Sequence, residues 1–427
     1  MDKILVLQNR HWLGGLYEGL FDRAIIPGLL AKMKLREIQV LLGVRRSGKS
    51  TIFKLLINSL MTGVGVDPRR ILYVNLDDPY FMDLYRDPTS LYRITETAEK
   101  ITGEKIDYLF LDEIQNVREW QRFVKSAHDS ELFVKIFVTG SNSALLKDDY
   151  AVLLSGRYLA DDVFPLSFQE LLDHQGFCDL LTVTANKSRV LNIFENALRF
   201  GSFPGLVKIG EDDLKRELLV SYYDTIVLKD CIAASTIRET SIFREMVHYL
   251  LSNIGGLYSY NGLAGVLGSN ETTAREFIAV LENSFLMKEI RNYSYSLKQQ
   301  TKARKKCYCV DNGLIHAVSF AFSENRGRLM ENLVYTELVK QGYREIYFFH
   351  NSRECDFVVK KGAEGKAIQI AYELNDRNRK RELDGLRTAM EKYDIPRGVV
   401  ITADQEETVS ERCEIVPFWK YFNRGSE

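Results

Sequence analysis

An octapeptide near the start of the chain restricts the fold more than any other feature. It reads Gly43-Val44-Arg45-Arg46-Ser47-Gly48-Lys49-Ser50 and fits the spacing GxxxxGK[ST] without a departure. The glycines let successive backbone N–H groups wrap an anion, and the helix that starts there adds its positive end. Lys49 can reach the β- and γ-phosphates of a nucleotide, and the Ser50 hydroxyl can bind Mg²⁺. The candidate nucleotide-binding residues are Gly43, Arg45, Arg46, Ser47, Gly48, Lys49, Ser50 and Thr51.

The surroundings agree with this reading. An apolar run over 38–42 precedes the loop as a buried strand, and 51–60 follows as a helix. Further strands are expected over 71–76, 106–111, 134–138 and 159–164. Helices are expected over 91–101 and 120–128, and residues 1–36 read as a helical lead-in. Strands alternating with helices predict a parallel α/β sheet. The third strand ends in Asp112-Glu113. Asp112 is placed to hold Mg²⁺ with Ser50, and Glu113 to orient or deprotonate the attacking water. The acidic pair, with no NKxD-type guanine reader elsewhere, favours ATP. The fourth strand ends in Thr139-Gly140-Ser141-Asn142. Ser141 or Asn142 is a candidate contact to the γ-phosphate or the water; the other reading, compatible with the first, is an N-cap for a helix through Ala144-Leu145-Leu146. Arg157, just before the fifth strand, would either neutralise transferred charge, in cis or in trans, or hold the sheet edge by a salt bridge.

The whole chain, 427 residues, is too long for one core. Lys+Arg total 57 and Asp+Glu 58, which excludes a polycation or an acidic tail protein but says nothing about local patches. No signal peptide or membrane span is legible: the N-terminal apolar run has four residues. The six cysteines show no CxxC pattern and the histidines no metal-binding spacing. These features predict a cytoplasmic protein with reduced thiols.

GVRRSGKST, LFLDEIQ, VTGSNSALL, and LSGRY followed by FPLSFQE resemble a large prokaryotic family of AAA-type ATPases. The C-terminal half of that family is a domain of unknown function resembling a restriction-endonuclease fold. The resemblance runs on through Gly201-Ser202-Phe203-Pro204, Tyr260 to Ala264 and Glu331 to Val334. It implies an α/β P-loop NTPase fold of the AAA/ASCE type with four parts. These are an ATPase core with its lead-in over 1–165, a helical lid over 166–238, a winged-helix segment over 239–325, and a degenerate nuclease-like domain over 326–427.

Within the third part, 259–267 and 272–283 read as two helices around Gly268-Ser269-Asn270, the spacing of a helix-turn-helix. Thr273, Arg275 and Glu276 are its polar positions. Residues 291–306 then carry Arg291, Lys298, Lys302, Arg304, Lys305 and Lys306 with no acid, and Tyr293 and Tyr295 interleave. A basic wing beside such a helix pair suggests contact with the DNA backbone, and the rival reading is a protein partner. For the C-terminal domain the resemblance implies a helix Glu, here Glu331, a strand Asp, here Asp356, and an ExK motif on the next strand. Gln369 and Ala371 stand in that motif's Glu and Lys positions. Gln brings no charge to a hard cation, so cleavage would need a substitute such as Lys366 or Glu373.

The sequence thus predicts a Mg²⁺-dependent ATPase that couples nucleotide state to its lid and winged-helix segment, with DNA or a protein as partner. The alternatives are a metal-dependent nuclease regulated by ATP, and a nucleotide-bound switch that does not hydrolyse.

Overall fold

Five short strands, all but the last largely apolar, build the first sheet in the order β2-β3-β4-β1-β5, with every pairing parallel. They are β1 (Ile38–Leu42), β2 (Ile71–Asn75), β3 (Tyr108–Asp112), β4 (Lys135–Gly140) and β5 (Tyr158–Asp162). Strands covered on both faces read as continuous apolar runs rather than alternating ones, and all five residues of β1 are buried. Alternate residues serve opposite cores. Leu109 and Leu111 of β3 join one cluster, and Phe110 joins the other. There Phe110 stacks on Phe137 at 4.5 Å, with Phe53 edge-on at 5.1 Å. Helices Lys49–Ser59, Ser90–Thr102 and Trp120–Asp129 supply the covering layers. The computed structural model describes residues 1–143, 153–235, 237–319, 326–362 and 364–423. It forms two compact units, Met1–Phe164 with Asn283–Phe285, and Pro165–Glu282 with Leu286–Glu427.

The lead-in is less helical than expected. It holds helices Asp2–Gln8 and Ile26–Ala31, with short 3₁₀ turns at Arg10–Leu13 and Lys32–Lys34. Gly14 and Gly19, both at positive φ, interrupt the periodic leucines. Its side chains instead close the open edge of β2. Asn9 accepts from the Tyr73 N–H at 2.7 Å and donates to the Tyr73 carbonyl at 2.9 Å. Gln8 accepts from the Asn75 N–H at 2.9 Å, and the Trp12 indole donates to the Ile71 carbonyl at 2.7 Å. Side-chain amides thus take the place of a sixth strand.

The second unit begins with helices, the longest being Lys187–Phe200 and Asp212–Thr225. Thr240–Ser252, Tyr260–Val266 and Glu271–Asn283 follow, the last two on either side of Gly268 as expected. Then comes an antiparallel ribbon of β6 (Met287–Arg291) and β7 (Lys305–Cys309). Helix Arg326–Lys340 leads into a six-stranded mixed sheet. Its strands are β8 (Glu345–His350), β9 (Glu354–Lys361), β10 (Glu364–Ile370), β11 (Arg397–Thr402), β12 (Glu407–Ser410) and β13 (Cys413–Pro417), in the order β12-β13-β11-β10-β9-β8. Helix Arg379–Tyr393 covers it. The expected lid helices belong to this second unit. Asp311 accepts from the Ser202 N–H at 2.7 Å, and Glu337 from the Phe168 N–H at 3.0 Å.

Among the described residues no helix is long and apolar enough to cross a membrane. None of the six cysteines forms a disulfide, and only Cys178 is exposed.

Candidate nucleotide site

Parallel strands place their carboxyl ends along one edge, and three of those ends carry the candidate residues. β1 runs into the glycine loop, β3 ends at Asp112, and β4 ends at Gly140 beside Leu42. Gly43 sits where a Cβ would lie 2.1 Å from the Val163 carbonyl oxygen, so no other residue fits. Arg46 and Gly48 both have positive φ, 71° and 99°, which curls the loop before the helix starts at Lys49. Lys49 is buried, and its ammonium donates to the Gly43 carbonyl at 2.8 Å and the Val44 carbonyl at 3.2 Å. Ser50 and Thr51 lie half-buried on the first turn; Arg45 is half-buried and Arg46 exposed.

The acidic pair is held by neighbours that sequence reasoning did not select. Asp112 is 1% exposed. Its Oδ2 accepts from the Tyr73 hydroxyl at 2.9 Å, and its Oδ1 accepts from the Thr139 hydroxyl. The same Thr139 oxygen accepts the Glu113 N–H at 2.9 Å. Glu113 has left-handed backbone, φ 55°, and the Gln115 amide donates to its carboxylate. Burial raises the Glu113 pKa, Lys49 and Arg45 oppose that, and Asp112 adds to it, with a net upward shift. Ser141 is buried and Asn142 half-buried just beyond β4, on the same edge. The helix expected through Ala144-Leu145-Leu146 lies outside the described residues.

A second residue that went unselected is Arg23. Its guanidinium donates to the Ser47 carbonyl at 2.9 Å and the Phe164 carbonyl at 2.7 Å, clamping the loop against the segment after β5. No local motif marks it, since its partners lie 24 and 141 residues away.

The residues present fit a nucleoside triphosphate with Mg²⁺. The buried Ser47 Oγ has no hydrogen-bond partner among the described residues, a buried hydroxyl that a phosphate oxygen would satisfy. Ser50 and Asp112 are hard oxygen donors of the kind Mg²⁺ takes.

The cis role of Arg157 is corrected. Tyr158 pairs with Ile38, so Arg157 stands at the amino edge of the sheet. Six residue rises along β1 separate its level from Gly43, about 20 Å. Its Nε donates to Asp129 at 2.7 Å, the salt-bridge alternative.

The basic segment is corrected in part. A short helix, Leu297–Lys302, fills the middle of the expected wing. Arg291, Lys298, Lys302, Arg304 and Tyr295 are exposed. Lys305 is buried, donating to the Thr301 and Ala303 carbonyls at 3.0 and 2.8 Å. Tyr293 is buried against Tyr347 and Tyr393. Lys306 is 2% exposed and turned into the C-terminal domain, 2.8 Å from carboxylate oxygens of both Glu331 and Glu354. Burial alone would lower its pKa; Glu331, Asp356 and Glu354 together outweigh that and raise it. Arg275 of the helix pair is tied to Glu271 and lies 4.1 Å over the Tyr260 ring.

Residues 35–172 match the family model described as an AAA domain. Residues 191–325 and 326–421 match two domains of unknown function, DUF8612 and DUF4143. Over 409 residues the chain is 31% identical to the uncharacterized protein MJ1544 of Methanocaldococcus jannaschii, covering 91% of this chain and 89% of that one. It is 29% identical over 385 residues to an uncharacterized protein of Haemophilus influenzae, covering 89% and 92%. Among solved structures, AMPPCP-bound DnaA from Aquifex aeolicus is similar with a TM-score of 0.28 and 14% identity, over 64% of this chain and 90% of that chain.

Proposed function

The chain belongs to one family with the uncharacterized protein MJ1544 of Methanocaldococcus jannaschii, and we propose that it is an AAA-type ATPase that hydrolyses ATP with Mg²⁺. The observation that carries this reading is the meeting of the glycine loop, the Asp112-Glu113 pair and Thr139 along one sheet edge. Gly43, Gly48 and the loop N–H groups cradle the phosphates, with Arg45, Arg46, Ser47 and Thr51 around them. Lys49 supplies the cation for the β- and γ-phosphates, and Ser50 and Asp112 hold the metal. Mg²⁺, when bound, neutralises charge on the phosphates. Glu113 takes a proton from the attacking water, and burial of its carboxyl strengthens it as a base. Ser141 or Asn142 contacts the γ-phosphate or the water.

Nucleotide state is read out through the helices of 166–238 and the winged-helix segment of 239–325, the four-part division continuing with a degenerate domain over 326–427. The exposed Arg291, Lys298, Lys302 and Arg304 with Tyr295 support DNA backbone contact as the output. A protein partner is the competing output, and Arg157 remains available to a second copy in trans.

The test is steady-state ATP hydrolysis with and without DNA at two salt concentrations. Lys49→Ala abolishes nucleotide binding, whereas Glu113→Gln binds ATP and does not turn it over. Full turnover in Glu113→Gln sinks the base assignment. Wild-type turnover indistinguishable from buffer, with nucleotide retained on purification, replaces the enzyme by a binding switch. Salt-sensitive stimulation by DNA supports backbone contact, and its absence moves the output to a protein.

A further inference from the structure

The resemblance of the C-terminal domain leads one to expect a divalent metal among Glu331, Asp356 and their neighbours. The residues do not fit that group. Among the described residues no three acidic, histidine or cysteine side chains are placed to share a metal ion. Gln369 in the motif is committed elsewhere, accepting from the Asp356 N–H at 3.3 Å and donating to Glu382 at 2.6 Å.

What the carboxylates surround is an ammonium group. Lys306 of β7 stands 2.8 Å from Glu331 Oε1, 2.8 Å from Glu354 Oε1 and 3.8 Å from Asp356 Oδ1. Tyr308, two residues along the same strand, donates to that Glu331 oxygen at 2.6 Å. Asp356 Oδ2 is occupied by the Ile370 N–H at 2.8 Å. These partners come from three separate pieces of chain, the ribbon, helix Arg326–Lys340 and β9. Only Glu354 is substantially open to solvent, with 42% of its side chain exposed. A buried cation so paired is costly to remove, because its partners would be left as uncompensated charges.

We propose that Lys306 is the resident cation of this pocket. Its ammonium takes the place of a divalent metal, so the domain keeps its carboxylates without binding Mg²⁺ or Mn²⁺, and the pocket latches β7 to the C-terminal sheet. Lys306 thereby brings to these carboxylates a positive charge that the motif, with Ala371 in its Lys position, lacks, and it comes from a strand outside the domain that resembles a nuclease. Neither Lys366 nor the exposed Glu373 is needed for this.

The experiment is Mn²⁺ titration of the full-length, nucleotide-free protein, followed by the electron paramagnetic resonance signal of free Mn²⁺. Wild type and Asp356→Asn are expected to bind the same number of ions up to about millimolar Mn²⁺. Lys306→Met is expected to gain one site per chain, lost again in the Lys306→Met, Asp356→Asn double variant. A wild-type site removed by Asp356→Asn overturns the proposal, and that arm decides the matter even if Lys306→Met fails to fold. A folded Lys306→Met that gains no site also overturns it. For the latch, amide exchange across 305–309 should speed up at least about tenfold in Lys306→Met, the effect of losing about 1.4 kcal/mol of local protection. Unchanged exchange there removes the latch. Because no nucleotide is present, these outcomes are independent of whether the chain hydrolyses ATP.

Discussion

The Thr139 hydroxyl donates to Asp112, and the same oxygen accepts the Glu113 N–H at 2.9 Å. One side chain from β4 therefore sets both the carboxylate assigned to Mg²⁺ and the backbone of the residue assigned to the base. Thr139→Val keeps the shape and removes both hydrogen bonds. Leaving a buried polar partner unsatisfied costs about 1–3 kcal/mol, so the hydrolysis rate should fall roughly 10- to 100-fold. Binding of a fluorescent ATP analogue should change by only a few fold. Thr139→Ser should recover most of the rate; a Val variant with full turnover would remove Thr139 from the site.

Arg23 is expected to act on binding. Its fork holds the Ser47 and Phe164 carbonyls together, so Arg23→Ala loosens the loop's backbone. A loss of about 1.5–3 kcal/mol, the range for charged hydrogen bonds, predicts roughly a 10- to 150-fold weaker Kd for ATP. Arg23→Lys should recover little, because an ammonium lacks the planar fork that spans two carbonyls. Equilibrium titration of the three proteins checks this; an unchanged Kd in Arg23→Ala would make the clamp irrelevant to nucleotide.

His11 makes a prediction for pH. It is fully buried, with its Nε2 3.0 Å from the Ile71 carbonyl, and burial lowers its pKa from 6.5 to about 4, partly opposed by that carbonyl. The unfolded chain therefore takes up a proton that the folded chain refuses. The stabilising effect of the neutral ring is complete above pH 6.5. It drains away as the pH falls to about 4 and changes no further below that. At about 1.4 kcal/mol per pH unit the loss is on the order of 3 kcal/mol. Urea unfolding across that range should show a shallower decline in His11→Gln than in wild type.

Local features were legible and long-range ones were not. The glycine loop, the apolar strands and Asp112-Glu113 follow from short-range chemistry, since a strand's apolar run and its terminal acid are neighbours in the chain. Arg23, Thr139 as the bridge, and Lys306 act through contacts across 24 to 141 residues, which no spacing rule contains. For Arg157 the salt-bridge alternative was legible and only the cis role fails: a residue that precedes a parallel strand lies at the edge opposite the loop. The run over 291–306 misled because counting charges ignores burial. Lys305 and Lys306 spend theirs on carbonyls and carboxylates inside the fold.

The amides that Asn9 and Gln8 lay along β2 have a practical meaning for cutting this protein into pieces. The AAA match begins at residue 35, and a fragment started there would carry every residue of the recognised nucleotide motifs. It would also bare the backbone groups of Tyr73 and Asn75, a template for another chain's strand. The same cut discards Arg23. Such a fragment should self-associate and hold ATP weakly, a failure of trimming that could be mistaken for a lack of catalytic capacity.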